Sequence, residues 1–439
     1  MALLLGMVGT IQSWNVSLAI LNLCLISAIM SLGLNIQWGY AGLFNAGVMA
    51  STALGGLAAV LVSHSPVGKA WAAGGLDTGL ALMTLVLTVL GAWWIRRKVP
   101  EGYLRKVMFL MWLLCGYAFL RYFYEQASLN IEAVDPAQTG FLGGLGLPIL
   151  ISWIVGGIAA AGLAWVVGRV ALGLRSDYFA IATLGISEIM ISILKNEDWL
   201  TRGVKNVTGL ERPVPYEVDL QQSQWFMDLV IRLHPVDPNQ IRREALQEMV
   251  ISASGVFVKL CYSGLFLIVL LIILGLAALA LNSPWGRMMR AIRDNEVAAA
   301  AMGKDVTNRH RQVFILGSAV IGVAGAMLTT LDGQFTPGSY IPLRFTFLIW
   351  VMVIIGGSGN NLGAVLGAFI TWFTWIEAEP VALWAVENLN SLLSDENPLR
   401  QHFIDVAPHL RMVVMGLILI LVLRFRPEGI LPERNINSN

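Results

Sequence analysis

Charge is what this sequence has least of. Asp, Glu, Lys and Arg make up 13% of its 439 residues, where a soluble domain carries about 25%. With 56% hydrophobic residues and a mean hydropathy of +0.68, too little polar surface exists to cover a soluble core, so composition alone places the chain in the membrane class. Net charge is also small, at +1, which removes any global attraction to nucleic acid or acidic partners. No Lys or Arg precedes Lys69. The basic n-region of a secretory signal peptide is therefore missing, and the first apolar run reads as a permanent span.

Reactive and ligating side chains are scarce too. Cys24, Cys115 and Cys261 lie far apart in apolar runs without CxxC spacing, and read as small buried hydrophobes. The five His, at 64, 234, 310, 402 and 409, lack metal-ligand spacing, so no metal is expected. Gly68-Lys69 is followed by Ala70 and Gly303-Lys304 by Asp305. Neither supplies the Ser or Thr of a phosphate-binding loop, so the chain does not hydrolyse ATP by that route. GxSxG and HExxH are absent, which disfavours an intramembrane enzyme; no cofactor is expected.

Long apolar runs are plentiful. A helix needs about 20 mostly apolar residues to cross the hydrocarbon layer. Such runs, some shorter, occur near 15–33, 41–62, 77–95, 107–123, 147–168, 177–194, 255–281, 312–331, 345–357, 361–377 and 409–424. They predict an all-α polytopic bundle of about 10–11 spans, since backbone groups in lipid must be satisfied within the segment. The runs 41–62 and 345–362 are Gly-rich at one end and are candidates for broken or re-entrant helices. With eleven crossings the basic clusters at Arg96–Lys106, Arg169–Arg175, Arg287–Arg311 and Arg424–Arg426 share one face. By the positive-inside rule that face is cytoplasmic, with the N-terminus outside and the C-terminus inside. Two external stretches are large enough to fold. One is 195–254, with Pro213, Pro215, Pro235, Pro238 and a short helix near 239–250; the other is 378–408, with Trp384, Pro398 and Pro408. Each reads as a lid or docking surface, or as a tolerated insertion.

The most informative stretch is 283–303. Ser283 suits an N-cap, Pro284 the first helical position and Gly303 a C-terminal cap, which predicts a helix of about five turns. Met288, Met289, Ile292 and the Ala run form its apolar face, and Arg287, Arg290 and Arg293 a basic stripe. Two readings fit: a helix that passes force to a separate motor protein, or an amphipathic helix resting on anionic membrane lipid.

Four pieces, in order along the chain, resemble the permeases that import branched-chain amino acids, the LivM type of ABC importer. Glu296-Val297-Ala298-Ala299-Ala300-Ala301-Met302-Gly303 is similar to the EAA…G loop of importer permeases. Leu34 to Asn45 (with Trp38-Gly39-Tyr40-Ala41-Gly42), Ser176 to Gly185 with Glu188, and Ile355 to Gly367 resemble further segments of the family. After Asn45, where the family usually reads Gly-His with aromatics, this chain has Ala46-Gly47-Val48, and 63–146 and 213–250 are less similar.

The resemblance implies a channel-forming subunit of the bacterial inner membrane that does no covalent chemistry. Its implied partners are a second homologous permease, two cytoplasmic ATPases on 283–303 (Arg287, Arg290, Arg293, Glu296, Gly303) and a periplasmic substrate-binding protein. Branched-chain or related amino acids are the implied cargo, with urea and short amides as the alternative. A stand-alone ion-coupled transporter is the reading from another class.

Several residues keep two readings. Gly47, Ser51, Gly55 and Ala59, and likewise Gly359, Gly363 and Gly367, recur at four-residue spacing, as in close helix packing or at a gate or subunit seam. Asn45 belongs with them as a pathway or packing residue. Glu188 sits mid-segment, where a carboxylate is costly and by default functional. It either lines the path, or is neutral and bonded to Ser187 or Ser192. Arg175 and Asp177 read as an interfacial pair.

Overall fold

The computed structural model describes residues 1–134, 140–201, 203, 205–233, 243–390 and 409–433. The helices in chain order are α1 (Ala2–Ile11), α2 (Trp14–Ala41), α3 (Val48–Ser63), α4 (Gly68–Lys98), α5 (Tyr103–Glu132), α6 (Ile149–Ala171) and α7 (Ser176–Asn196). There follow α8 (Asp198–Thr201), α9 (Glu217–Gln222), α10 (Gln224–Leu233), α11 (Arg243–Asn282), α12 (Pro284–Asp294) and α13 (Glu296–Ala301). The last four are α14 (Val306–Asp332), α15 (Pro342–Gly356), α16 (Asn361–Asn390) and α17 (Leu410–Phe425). Among the described residues seven helices, α2, α4, α5, α6, α7, α11 and α14, are long and apolar enough to cross a membrane. Each of the eleven apolar runs coincides with a helix, but α3 and α15 have only 16 and 15 residues. They fall short of the ~20 a lipid-facing span requires; α3 is almost wholly buried in protein and α15 mostly so, whereas α17, also of 16 residues, is largely exposed.

The centre of the bundle is α14, packed against α6, α3 and α2, with α15 and α16 closing one side and α11 another. Lipid tails are as apolar as Leu, so close van der Waals packing, more than the hydrophobic effect, holds such helices together. The sequence supplies it with small residues. A Cβ at Gly55 of α3 would overlap the carbonyl of Gly322 in α14, and one at Gly322 would overlap the backbone of Gly156 in α6. The Gly47–Ala59 ridge is thus a packing seam inside the chain. α4 and α5 pair with each other outside this core and leave most of their apolar surface exposed.

Two local expectations are corrected and one element is added. The short helix near 239–250 is no separate element: from Arg243 it is the start of a continuous 40-residue α11, which contains no Pro to break it; 234–242 lie outside the described residues. At 1.5 Å per residue α11 is about 60 Å long, so it projects past the bundle. α9 and α10 pack on that projection, with Phe226 against Phe257 at 5.6 Å and Gln221 donating to Ser254 at 2.9 Å. Second, the 361–377 run continues to Asn390 through Pro380, so part of the outer 378–408 stretch is helix; 391–408, with Pro398 and Pro408, lie outside the described residues. The added element, α1, folds back on α2, its Gly9 lying under the Trp14 ring. A two-residue antiparallel pairing, Val207 with Phe335 and Thr208 with Gln334, ties the loop after α8 to the α14–α15 connection.

Candidate functional site

The 283–303 stretch is two helices, not one. Asn295 is extended, at φ −155° and ψ 96°, and its side chain accepts from the Ala298 N–H at 2.9 Å. An Asn that caps a new helix ends the previous one, which is why the continuous helix does not form. Ser283 does not cap α12 either; its hydroxyl donates to Ala280 O at 2.6 Å. Met289 and Ile292, fully buried, seat α12 against α2 and α11, in an apolar cluster that also holds Phe179 and Phe314.

The basic stripe is not uniformly free. Arg287 is exposed and donates to Asn282 O at 3.3 Å. Arg290 turns inward to Leu281 O at 2.9 Å. Arg293 donates to Gly39 O at the end of α2, and its guanidinium pairs with Glu433 at 2.9 Å. The outer surface is α13: Glu296 is exposed, Val297 and Met302 are each 80% exposed, and Gly303 closes the turn at φ 77°.

Beneath Arg293 lies the late Gly-rich turn. Gly359 sits in that turn at φ 81°, before α16 begins, so it is not on one helical ridge with Gly363 and Gly367 as the spacing suggested. Its N–H donates to Asn35 Oδ1 at 2.9 Å, and Asn35 donates in turn to Asn361 at 3.2 Å. Gly363 and Gly367 carry α16 against the α15 backbone at Gly356 and Met352. The segment after α17 crosses the same turn, with Ile430 and Leu431 N–H groups donating to Ile355 and Gly356 carbonyls, each at 2.9 Å. A Cβ at Gly359 would crowd both Glu433 and Arg293.

The α2–α3 connection, 42–47, is non-helical and largely buried. Backbone of this kind inside a membrane protein must be satisfied by protein. Asn45 does most of this: it donates to Gln37 at 2.9 Å, accepts from Gly47 N–H at 2.8 Å through Oδ1, and its carbonyl accepts from Trp350 Nε1 at 3.0 Å. Gln37 continues the network to Ser318 and Phe314 O, both at 3.0 Å, and Thr183 of α7 receives the Ala46 N–H at 3.1 Å. Trp38, Phe44 and Trp350 stack alongside, with centroids 4.3–5.6 Å apart.

Next to this connection is a cavity of about 240 Å³ between α2, α3, α14, α15 and α16. Met30, Met49, Leu348 and Met352 give it an apolar wall, and Asp332, Ser27, Ser339, Tyr340 and Thr52 supply its polar groups. Tyr340 shares a hydrogen bond with Thr329 Oγ1 at 3.1 Å, and burial raises its phenol well above the usual value, so it stays neutral. A larger groove of about 980 Å³ runs between α4 and α5, away from these elements. Asp332, Gln37 and Glu433 were not singled out from the sequence. For Asp332 the only signal was a polar residue at the end of an apolar run.

Glu188 points out of the bundle. It is exposed, no described residue bonds it, and Ser187 Oγ is buried without a partner, so the expected bond to Ser187 or Ser192 is not formed. Adjacent helical residues face directions about 100° apart, and Ser187 takes the inward one. Arg175 and Asp177 likewise form no ion pair among the described residues.

A family model described as the branched-chain amino acid transport system permease component matches residues 16–423. The chain is 24% identical over 281 residues to the high-affinity branched-chain amino acid transport permease LivM of Salmonella typhimurium, covering 63% of this chain and 56% of that protein. To the probable LivM of Methanocaldococcus jannaschii it is 26% identical over 156 residues, 36% of this chain and 42% of the relative. To BraD of Pseudomonas aeruginosa it is 27% identical over 187 residues, 43% and 52%. The chain thus spans about half the length of the curated relatives it matches. No solved structure matches it. With a match running through the central bundle, the α2–α3 connection, the 283–303 segment and the Gly-rich turn, the chain belongs to the family of branched-chain amino acid transport permease components.

Proposed function

We propose that this chain is one of two permease subunits of an ATP-driven importer in the bacterial inner membrane, with branched-chain or related amino acids as cargo. The observation that carries this reading is the α12–α13 segment, which offers an exposed apolar knob outward while Arg293 fastens its inner side to α2 and to the Gly359 turn. A motor ATPase docking on Val297, Met302 and Glu296 pushes α12, and Arg293 transmits the displacement to Gly39 and Glu433. Those contacts abut the two interruptions in the bundle, 42–47 and 357–360. Broken elements of this kind re-pack between two arrangements more readily than unbroken helices. The permease itself makes and breaks no covalent bond.

In this reading the basic clusters face the cytoplasm and the N-terminus the periplasm. The folded cap of α9, α10 and the projecting end of α11 receives the periplasmic binding protein. The second permease covers the outer face of α7: a carboxylate near mid-span is too costly to leave against lipid, and α7 carries Glu188 about 18 Å from one end and 12 Å from the other at 1.5 Å per residue. The apolar cavity favours an aliphatic amino acid over urea, which has no apolar group to place there. The test is co-purification with the ATPases. Val297→Asp and Met302→Asp should insert normally yet lose the ATPase subunits. Retention of full binding by both would contradict the docking role.

A further inference from the structure

Asp332 stands where physics disfavours an acid. It is the last residue of α14, and a helix C-terminus carries partial negative charge that repels a carboxylate and attracts a cation. No described residue donates a hydrogen bond or an ion pair to it. Arg212 packs beside Gly333 but places its guanidinium on Glu217 at 3.1 Å. Asp332 is exposed and lines the cavity without a counter-ion among the described residues, in a wall of Met, Leu, Ile and aromatic side chains that also carries the hydroxyls of Ser27, Thr52, Ser339 and Tyr340.

We propose that this cavity is a substrate-binding site in the permease, in which Asp332 receives the α-ammonium group of an aliphatic amino acid. The inference rests on the amino-acid importer reading and names the residue that recognises the cargo. Small-molecule pockets commonly run from about 300 to 1,000 Å³; at about 240 Å³ this one takes a ligand smaller than those. Met30, Met49 and Met352 are unbranched at Cβ and flexible, so they re-pack around Val, Leu or Ile side chains of different shape. The ammonium is held by Asp332 together with the negative end of α14. The substrate carboxylate, with no Lys or Arg in the lining, stays at the mouth near the Ser339 hydroxyl. A divalent cation is a poor occupant: it demands six or more oxygen ligands, and the lining offers one carboxylate and the four hydroxyls of Ser27, Thr52, Ser339 and Tyr340. α14 runs about 39 Å at 1.5 Å per residue from the 283–303 segment to Asp332, so the carboxylate lies at the end of the cavity farther from the motor contact.

Two measurements test this. The first is thiol labelling of Ser339→Cys in the full permease, with Cys24, Cys115 and Cys261 replaced by Ala, in the presence of defined analogues. L-Leucine and 3-methylbutylamine should both slow labelling, and 4-methylpentanoate, which lacks the amine, should not. Adding Asp332→Asn should remove the protection by at least tenfold in ligand concentration. Equal protection by 4-methylpentanoate, or protection unchanged by Asp332→Asn, overturns the assignment. The second is uptake by the reconstituted complex. Asp332→Asn should lose about tenfold in L-leucine uptake, with partial rescue by Asp332→Glu. If the wild-type complex moves L-leucine and Asp332→Asn moves it equally well, only this inference fails. If the wild-type complex moves no amino acid, the importer reading fails and this one with it.

Discussion

Arg293 and Glu433 pair at 2.9 Å across 140 residues of chain, and each side chain is about one-quarter exposed. The same guanidinium holds the last turn of α2 through Gly39, so a single side chain joins α12, α2 and the segment after α17. Arg presents a planar fork that can bond two acceptors at once, whereas Lys is a point charge. Arg293→Ala should therefore leave ATPase binding intact while reducing substrate-stimulated ATP hydrolysis about tenfold. Arg293→Lys should recover part of it. If ATPase binding is lost in Arg293→Ala, Arg293 is a docking residue and not a transmitter.

Two glycines separate packing from conformation. Gly55→Val places a side chain into the Gly322 carbonyl, and overpacking of this kind costs about 1–3 kcal/mol or more. It should lower the unfolding temperature of the purified permease and its yield. Gly303 has open space around its Cβ position but lies at φ 77°, so Gly303→Ala should cost only about 1 kcal/mol of backbone strain. Its effect should appear in ATPase coupling, with thermal stability nearly unchanged. Equal destabilisation by the two substitutions would contradict this division.

For Glu188 the exposed position gives a direct expectation. If the second permease covers α7, Ile189→Cys in a cysteine-free background should form a disulfide with a cysteine on that subunit. Glu188→Leu should weaken co-purification of the two permeases without removing the ATPases. Normal pairing in Glu188→Leu, together with labelling of Ile189→Cys by lipid-soluble reagents only, would place this face against lipid.

Orientation is checked by reporter fusions. Arg97, Lys304 and Arg426 should report cytoplasm, and Pro215 and Asn397 (the latter outside the described residues) should report periplasm. Lys304 and Pro215 on the same side would undo the topology.

The bundle was largely legible because each span is a long apolar run, and such a run has one stable backbone solution in lipid. What the runs did not carry was direction. Glu188 is conspicuous as a charge in an apolar segment, yet whether it turns inward depends on a rotation of one residue about α7, which the sequence around it leaves open. Arg290 and Arg293 look like a free basic stripe beside Arg287; their inward partners, Leu281 O, Gly39 O and Glu433, are backbone atoms or distant residues with no local signature. The break at Asn295 was hidden by the strong helix formers Glu296 to Ala301 on its far side. Asp332 closes an apolar run and so resembles a loop residue.

The most direct measurement is L-leucine uptake into proteoliposomes that hold this permease with its partner permease and ATPases, supplied with the binding protein outside, ATP inside, and ionophores that collapse every ion gradient. The account predicts accumulation against the leucine gradient, dependent on ATP and abolished when Val297 and Met302 are changed to Asp. Uptake by this chain alone, driven by a proton or sodium gradient and indifferent to ATP, would contradict it.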